Sequence, residues 1–160
     1  MKLLRSEDLS YFDRAPIVAR ASVTIDATPM QIWPALADAS AWERWFTGVR
    51  TCRYTSEGEP GVGSTRFVHV RSLKVSEEVL AFDPGERFAF RVTEANVGMF
   101  RALVEMVTLE PASSGTTVTY HQAAELPRWA LPFRRVLQPQ LSRSLRKGIE
   151  GLRSWVAEHG

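Results

Sequence analysis

From Val49 to Glu125 the sequence runs through six segments in which branched and aromatic residues mix with polar ones at strand-like spacing. They read VRTCRYT, STRFVHV, LKVSEEVLAF, RFAFRVT, RALVEMVTLE and TTVTYHQAAE, separated by connections such as EGEPGVG, DPGE, a loop near Asn96 and Gly98, and PASSG. Segments of this kind joined by short Gly/Pro turns predict an antiparallel meander. A sheet with one apolar face needs a cover, and the rest of the chain has to supply it.

The flanks offer that cover. IVARASVTI, residues 17–25, predicts a seventh strand rich in branched residues. Thr28 and Pro29 then have the chemistry of an N-cap and a first helical position, so PMQIWPALAD predicts a short helix, bent by Pro34 if it runs on. SAWERWF, from Ser40, predicts a second short helix before Gly48. After Pro139, Leu141, Leu145, Ile149, Leu152 and Val156 recur every three or four positions, predicting one amphipathic helix of about 20 residues. Gly148 and Gly151 lie within it and leave room beside a sheet or a ligand. The expected class is therefore α+β: strand, two short helices, six strands, long C-terminal helix. Residues 1–16 are expected to be an N-terminal arm, and residues 17–160 a single unit.

At 160 residues and 44% hydrophobic content the chain suits one core of ordinary size. Its 20 basic and 18 acidic residues leave a net charge of +2, too little to point to a nucleic-acid partner. The lone Cys52 reads as core filler and cannot form an intrachain disulfide, while His69, His121 and His159 lack metal-site spacing. No cofactor or metal is expected. Arg5, Glu7 and Asp8 interrupt any leader-like apolar run near Met1, and no run reaches about 18 apolar residues, so a cytoplasmic location is expected. Basic residues gather between 128 and 153, which reads first as a solvated helix face. PRWALPFRRVL, residues 127–137, reads as a lead-in to the long helix and, second, as a peripheral membrane or protein contact.

ASVTIDATPMQIWPALADASAWERWF, GVGSTRF, EEVLAFDPGERFAF and LEPASSGTTVTY together resemble the polyketide cyclase/dehydrase-like branch of the START/Bet v 1 (SRPBCC) superfamily, in order and spacing over residues 19–157. The resemblance implies the helix-grip fold, a curved seven-stranded antiparallel sheet around a long C-terminal helix. It also implies a START/Bet v 1-like cavity for a hydrophobic small molecule such as a polyketide, lipid or aromatic metabolite. Aldol-type cyclisation and dehydration, non-catalytic carriage and partner-binding regulation all occur on this fold, in a monomer or homodimer.

Relatives carry an inward arginine after the glycine-rich turn and an inward glutamate on the next strand. Those roles fall here on Arg66 and Glu78. Alternation puts Arg66 with Val68 and Val70, and Glu78 with Leu80 and Phe82; Glu77, with Val75, Val79 and Ala81, is the alternative. Arg66 would then hold a substrate carbonyl and stabilise an enolate while Glu78 takes the α-proton. Tyr120 falls at a position often aromatic in relatives, and Phe90 at one where they often have tyrosine, which removes a proton donor. Glu105 is either a second cavity carboxylate or an outward surface residue. Trp33, Trp45, Phe88, Phe90, Tyr120, Leu145 and Ile149 are the remaining candidate lining residues, each also explicable as ordinary core.

Overall fold

The computed structural model describes residues 1–159; Gly160, the end of the expected 17–160 unit, lies outside the described residues. The strands are β1 (Lys2–Leu3), β2 (Ile17–Ile25), β3 (Val49–Tyr54), β4 (Thr65–Val70), β5 (Leu73–Asp83), β6 (Arg87–Ala95), β7 (Ala102–Ala112) and β8 (Gly115–Glu125). The helices are α1 (Pro29–Ala37), α2 (Trp42–Trp45) and α3 (Arg134–His159). Seven strands follow the order β2-β8-β7-β6-β5-β4-β3, every neighbouring pair antiparallel. The two-residue β1 pairs with Glu94 and Ala95 of β6, beyond the point where the β6–β7 ladder stops at Arg91. This is the helix-grip arrangement, with one additional short strand.

The sheet buries both faces unequally. Its inner face carries residues such as Ile17, Val68, Val79, Phe88, Phe90, Val107 and Val118, which share one apolar cluster with Ile32, Trp42, Trp45, Leu145, Ile149 and Leu152 of the helices. The outer face buries a smaller patch in which Tyr11, from the 3-10 turn Leu9–Asp13, covers Ala102, Val104 and Ala123.

Local chemistry explains the helices. Thr28 and Gln31 form a reciprocal capping box at the start of α1, with Pro29 at the first helical position. The helix spans nine residues and includes Pro34 without interruption. Its last carbonyls are taken by aromatic donors: Trp45 Nε1 donates to Ala35 O at 2.8 Å, Trp42 Nε1 to Leu36 O at 2.9 Å, and Tyr54 Oη to Ala37 O at 2.9 Å. Orphan carbonyls at a buried helix end are costly, so these three side chains fix where α2 and β3 sit against α1. α3 spans 26 residues and begins at Arg134, five positions before the expected start, because Pro139 removes one helical hydrogen bond without ending the helix.

The glycines of α3 accommodate protein. A Cβ at Gly151 would sit 2.1 Å from Trp45 O, and one at Gly148 would sit 2.7 Å from the Phe46 ring. The sequence therefore allows α2 and α3 to touch backbone to backbone. Gly151→Ala is expected to destabilise the fold by about 2 kcal/mol despite the better helix propensity of alanine, read as a lower urea midpoint.

Candidate functional site

β4 leaves the glycine-rich turn with Arg66 and Val68 on the inner face, both buried. Arg66 is 1% exposed and Glu77, its direct partner on β5, is 4% exposed. Arg66 Nη2 donates to Glu77 Oε1 at 2.6 Å and Nε donates to the same oxygen at 3.0 Å. The guanidinium reaches two strands across: its Cζ lies 4.8 Å from the Phe90 ring centre and 5.0 Å from that of Phe88, with Trp42 over it at 4.8 Å. Burial, the largest single influence, lowers the Arg66 pKa, but the charge and hydrogen bonds of Glu77 together with smaller contributions from Cys52 and Tyr54 more than offset it, and the cation stays fixed. Burial pushes Glu77 upward, and the guanidinium pulls against that rise.

The inward carboxylate is Glu77, which corrects the expected Glu78. Glu78 lies on the outer face, half-exposed, where its Oε1 accepts from Arg91 Nε at 3.0 Å. The cause is a register shift in β5 between Val79 and Ala81, where Leu80 is the extra residue. Phe82 packs inward against Trp33 and Phe88, yet Leu80 packs outward with the Tyr11 patch. Counting back from Phe82 by strict alternation therefore selects the wrong glutamate.

Glu105 faces inward with Leu103 and Val107, half-buried, opposite Phe90 on one side and Gln122 on the other. Gln122 Nε2 donates to Glu105 Oε1 at 3.3 Å, and Gln122 and the Tyr120 hydroxyl both act to lower the Glu105 pKa. Burial, aided by the charge of Glu77, pushes Glu105 up to about 7. The inner face thus carries a polar belt across β4, β5, β7 and β8: Arg66, Glu77, Glu105, Gln122. Two buried atoms in this belt have no hydrogen-bond partner, Arg66 Nη1 and Gln122 Oε1. Orphans of this kind are uncommon, and these supply one donor and one acceptor within the interior.

The other candidates divide. Phe88, Phe90 and Tyr120 surround the belt, Tyr120 lying 6.4 Å from Trp42 and 5.9 Å from Phe46. Leu145 and Ile149 lie in the core beneath the second half of α3. Trp33 packs on Phe82 and meets Phe88, so it adjoins a ring of the cation's box without itself lying on the guanidinium, and Trp45 serves the α1 terminus. Trp42, absent from the expected set, is the ring that covers Arg66. Its position three residues before Trp45 on the same short helix was the available signal. Cys52 is buried with its thiol pushed up to about 12 by burial, so it acts as an inert neighbour. Among the described residues, no group of three or more His, Cys, Asp or Glu is arranged to hold a metal ion.

The space around Arg66 is occupied by rings. Grooves of about 680 and 640 Å³ lie at the rims instead, one lined by Val49, Arg50, His69, Arg71 and Lys74, the other by Asp83, Arg87, Thr108 and Glu110. Cover is uneven along α3. Between Arg134 and Ser144 only Leu137, Leu141 and Ser142 are even half-buried, whereas Leu145, Gly148, Ile149, Leu152 and Val156 are buried.

Two outcomes follow. Glu77→Gln leaves a buried guanidinium without its counter-charge and is expected to lower unfolding free energy by about 3 to 5 kcal/mol in denaturant titration. Glu105, raised from 4.5 to about 7, binds more protons folded than unfolded between those values, so its contribution to stability falls as pH rises through that window. The stability difference between wild type and Glu105→Gln should therefore change across it and level off above.

The sequence of residues 16–156 matches the family model described as polyketide cyclase / dehydrase and lipid transport. An uncharacterised protein of Mycobacterium tuberculosis is 33% identical over 149 residues, covering 92% of this chain and 89% of its own. A crystal structure of a Thermus thermophilus protein superposes with a TM-score of 0.76 at 18% identity, covering 89% of this chain and 99% of that one. The di-domain ARO/CYC StfQ of the steffimycin biosynthetic pathway superposes with a TM-score of 0.72 at 12% identity, covering 89% of this chain and 52% of that one. These last two likenesses establish shared fold. The family match and the mycobacterial relative establish more: the chain belongs to the polyketide cyclase/dehydrase and lipid transport family of the SRPBCC superfamily, a hydrophobic-ligand-binding fold.

Proposed function

We propose that this chain binds an oxygen-bearing hydrophobic molecule of polyketide or aromatic type between the inner face and the first half of α3. The observation that carries the reading is the pair of unpartnered buried atoms, Arg66 Nη1 and Gln122 Oε1. A carbonyl or phenolate oxygen would accept from Arg66, and a hydroxyl would donate to Gln122. A plain hydrocarbon answers neither. Access runs beneath residues 134–144, where cover is thinnest, and requires Trp42 or Phe46 to yield beside the cation.

The raised Glu105 favours a second, catalytic reading. A carboxyl titrating near 7 can both take and return a proton at neutral pH. Glu77 is less available as a base, because its Oε1 already accepts two hydrogen bonds from Arg66. Glu105 would take a proton from carbon beside a ketone, and the enolate oxygen would accept from Arg66 Nη1. The enolate carbon would then bond to a second carbonyl carbon, whose oxygen regains the proton from Glu105. Loss of water would complete an aromatic ring.

Native mass spectrometry of the purified protein, followed by titration with a dihydroxyanthraquinone, tests the binding reading. Wild type is expected to bind, and Arg66→Lys to bind about tenfold or more weakly. Gln122→Leu should weaken binding as well; because it removes the unpartnered acceptor together with the hydrogen bond to Glu105, affinity is compared at conditions where both proteins are fully folded. No adduct together with no binding, or binding indifferent to both changes, would refute it. Catalysis requires in addition that Glu105→Gln abolish turnover of a polyketone while leaving affinity intact.

A further inference from the structure

One end of the sheet is built differently from the rest of the surface. Here β6 ends at Ala95, β7 starts at Ala102 and β8 ends at Glu125, so the 96–101 loop and the segment after Leu126 emerge together. That segment is a 3-10 helix, Arg128–Phe133, running directly into α3. Leu126 and Ala130 are buried and pin it to the core. Around those anchors Trp129 is 69% exposed, Leu131 46%, Phe133 56% and Val136 60%. Val97 and Met99 of the adjoining loop are exposed as well.

The charge around these residues has one sign. From Arg128 to Lys147 there are six cations, Arg128, Arg134, Arg135, Arg143, Arg146 and Lys147, and no Asp or Glu. All six are exposed. Of the carboxylates at this end, Glu125 is already paired with Arg5 at 3.0 Å and Arg101 at 3.4 Å, and Glu94, next to the end of β6, accepts from Ser76 Oγ at 3.3 Å. Large apolar side chains set among unopposed arginines suit a surface that is anionic outside and oily beneath. Tryptophan and arginine both favour that boundary. A second copy of the chain fits poorly, because pairing this patch with itself would press six cations against six. No helix among the described residues is long and apolar enough to cross a membrane, so the contact is peripheral.

We infer that Arg128–Phe133 and the start of α3 dock this protein onto anionic phospholipid bilayers, with Trp129, Leu131, Phe133 and Val136 entering the interface. The same stretch borders the thinly covered part of α3, so docking would present that part to the lipid from which a hydrophobic molecule could be taken. The docking itself does not depend on the proposed ligand and is tested without one.

The experiment is vesicle flotation with equal parts phosphatidylglycerol and phosphatidylcholine, compared with phosphatidylcholine alone. Binding is expected for the anionic vesicles, weakening about tenfold or more as NaCl rises from about 0.1 to about 0.5 M. The double change Trp129→Ser with Phe133→Ser should weaken it by a similar factor at unchanged thermal midpoint. So should Arg134→Glu with Arg135→Glu. Brominated lipid should quench part of the tryptophan emission, and Trp129→Phe should remove that part while binding persists. No flotation with anionic vesicles, flotation unaffected by either double change, or a concentration-dependent dimer lost in the serine double variant would overturn the inference.

Discussion

A permanently charged guanidinium with almost no contact with water organises the inner face of this sheet. Arg66 cannot escape its burial by losing a proton, so everything around it is arranged to tolerate a cation. Glu77 supplies the counter-charge from β5, Phe88 and Phe90 supply ring faces from β6, and Trp42 closes the box from α2. Four elements are thereby held to one point. A buried pair of this kind is a weak device for stability, since apolar side chains of the same volume often serve as well or better. Its presence at the centre of a ligand-binding fold fits a use in recognition.

The long helix joins two different surfaces. Its second half is clamped, Gly148 and Gly151 allowing α2 to approach until backbone meets backbone. Its first half is mostly exposed, with Leu137 and Leu141 packed against the core, and continues backward into the exposed, arginine-flanked 3-10 turn. Rigid anchoring at one end and sparse cover at the other make opening local, because the clamp need not release for the first turns to shift.

Much of this was legible in the chain. The six segments between Val49 and Glu125 and the seventh at 17–25 are strands because their residue types and turn chemistry agree, and the heptad-like apolar spacing after Leu141 marks α3. Arg66 lies inside, a direction that alternation along β4 leaves open and only the resemblance implies. The choice between Glu77 and Glu78 was not legible, because the extra residue Leu80 reverses the phase of β5 midway and no local signal in EEVLAF announces it. Two-residue β1 has too little length to show a period, and Pro139 masked five helical residues before it. The partnerless atoms and the raised carboxyl of Glu105 arise from what surrounds them in space, which no spacing rule records.

Trp42 holds two appointments at once. Its ring lies on the guanidinium while its indole nitrogen donates to Leu36 O at the close of α1. Swinging the ring aside to admit a guest would strand a main-chain oxygen in the interior, at a penalty of about 1 to 3 kcal/mol unless the guest or water replaces the donor. Occupancy of the interior and fraying of a neighbouring helix would then be one event, observable as faster amide exchange in residues whose hydrogen bonds never touch the guest.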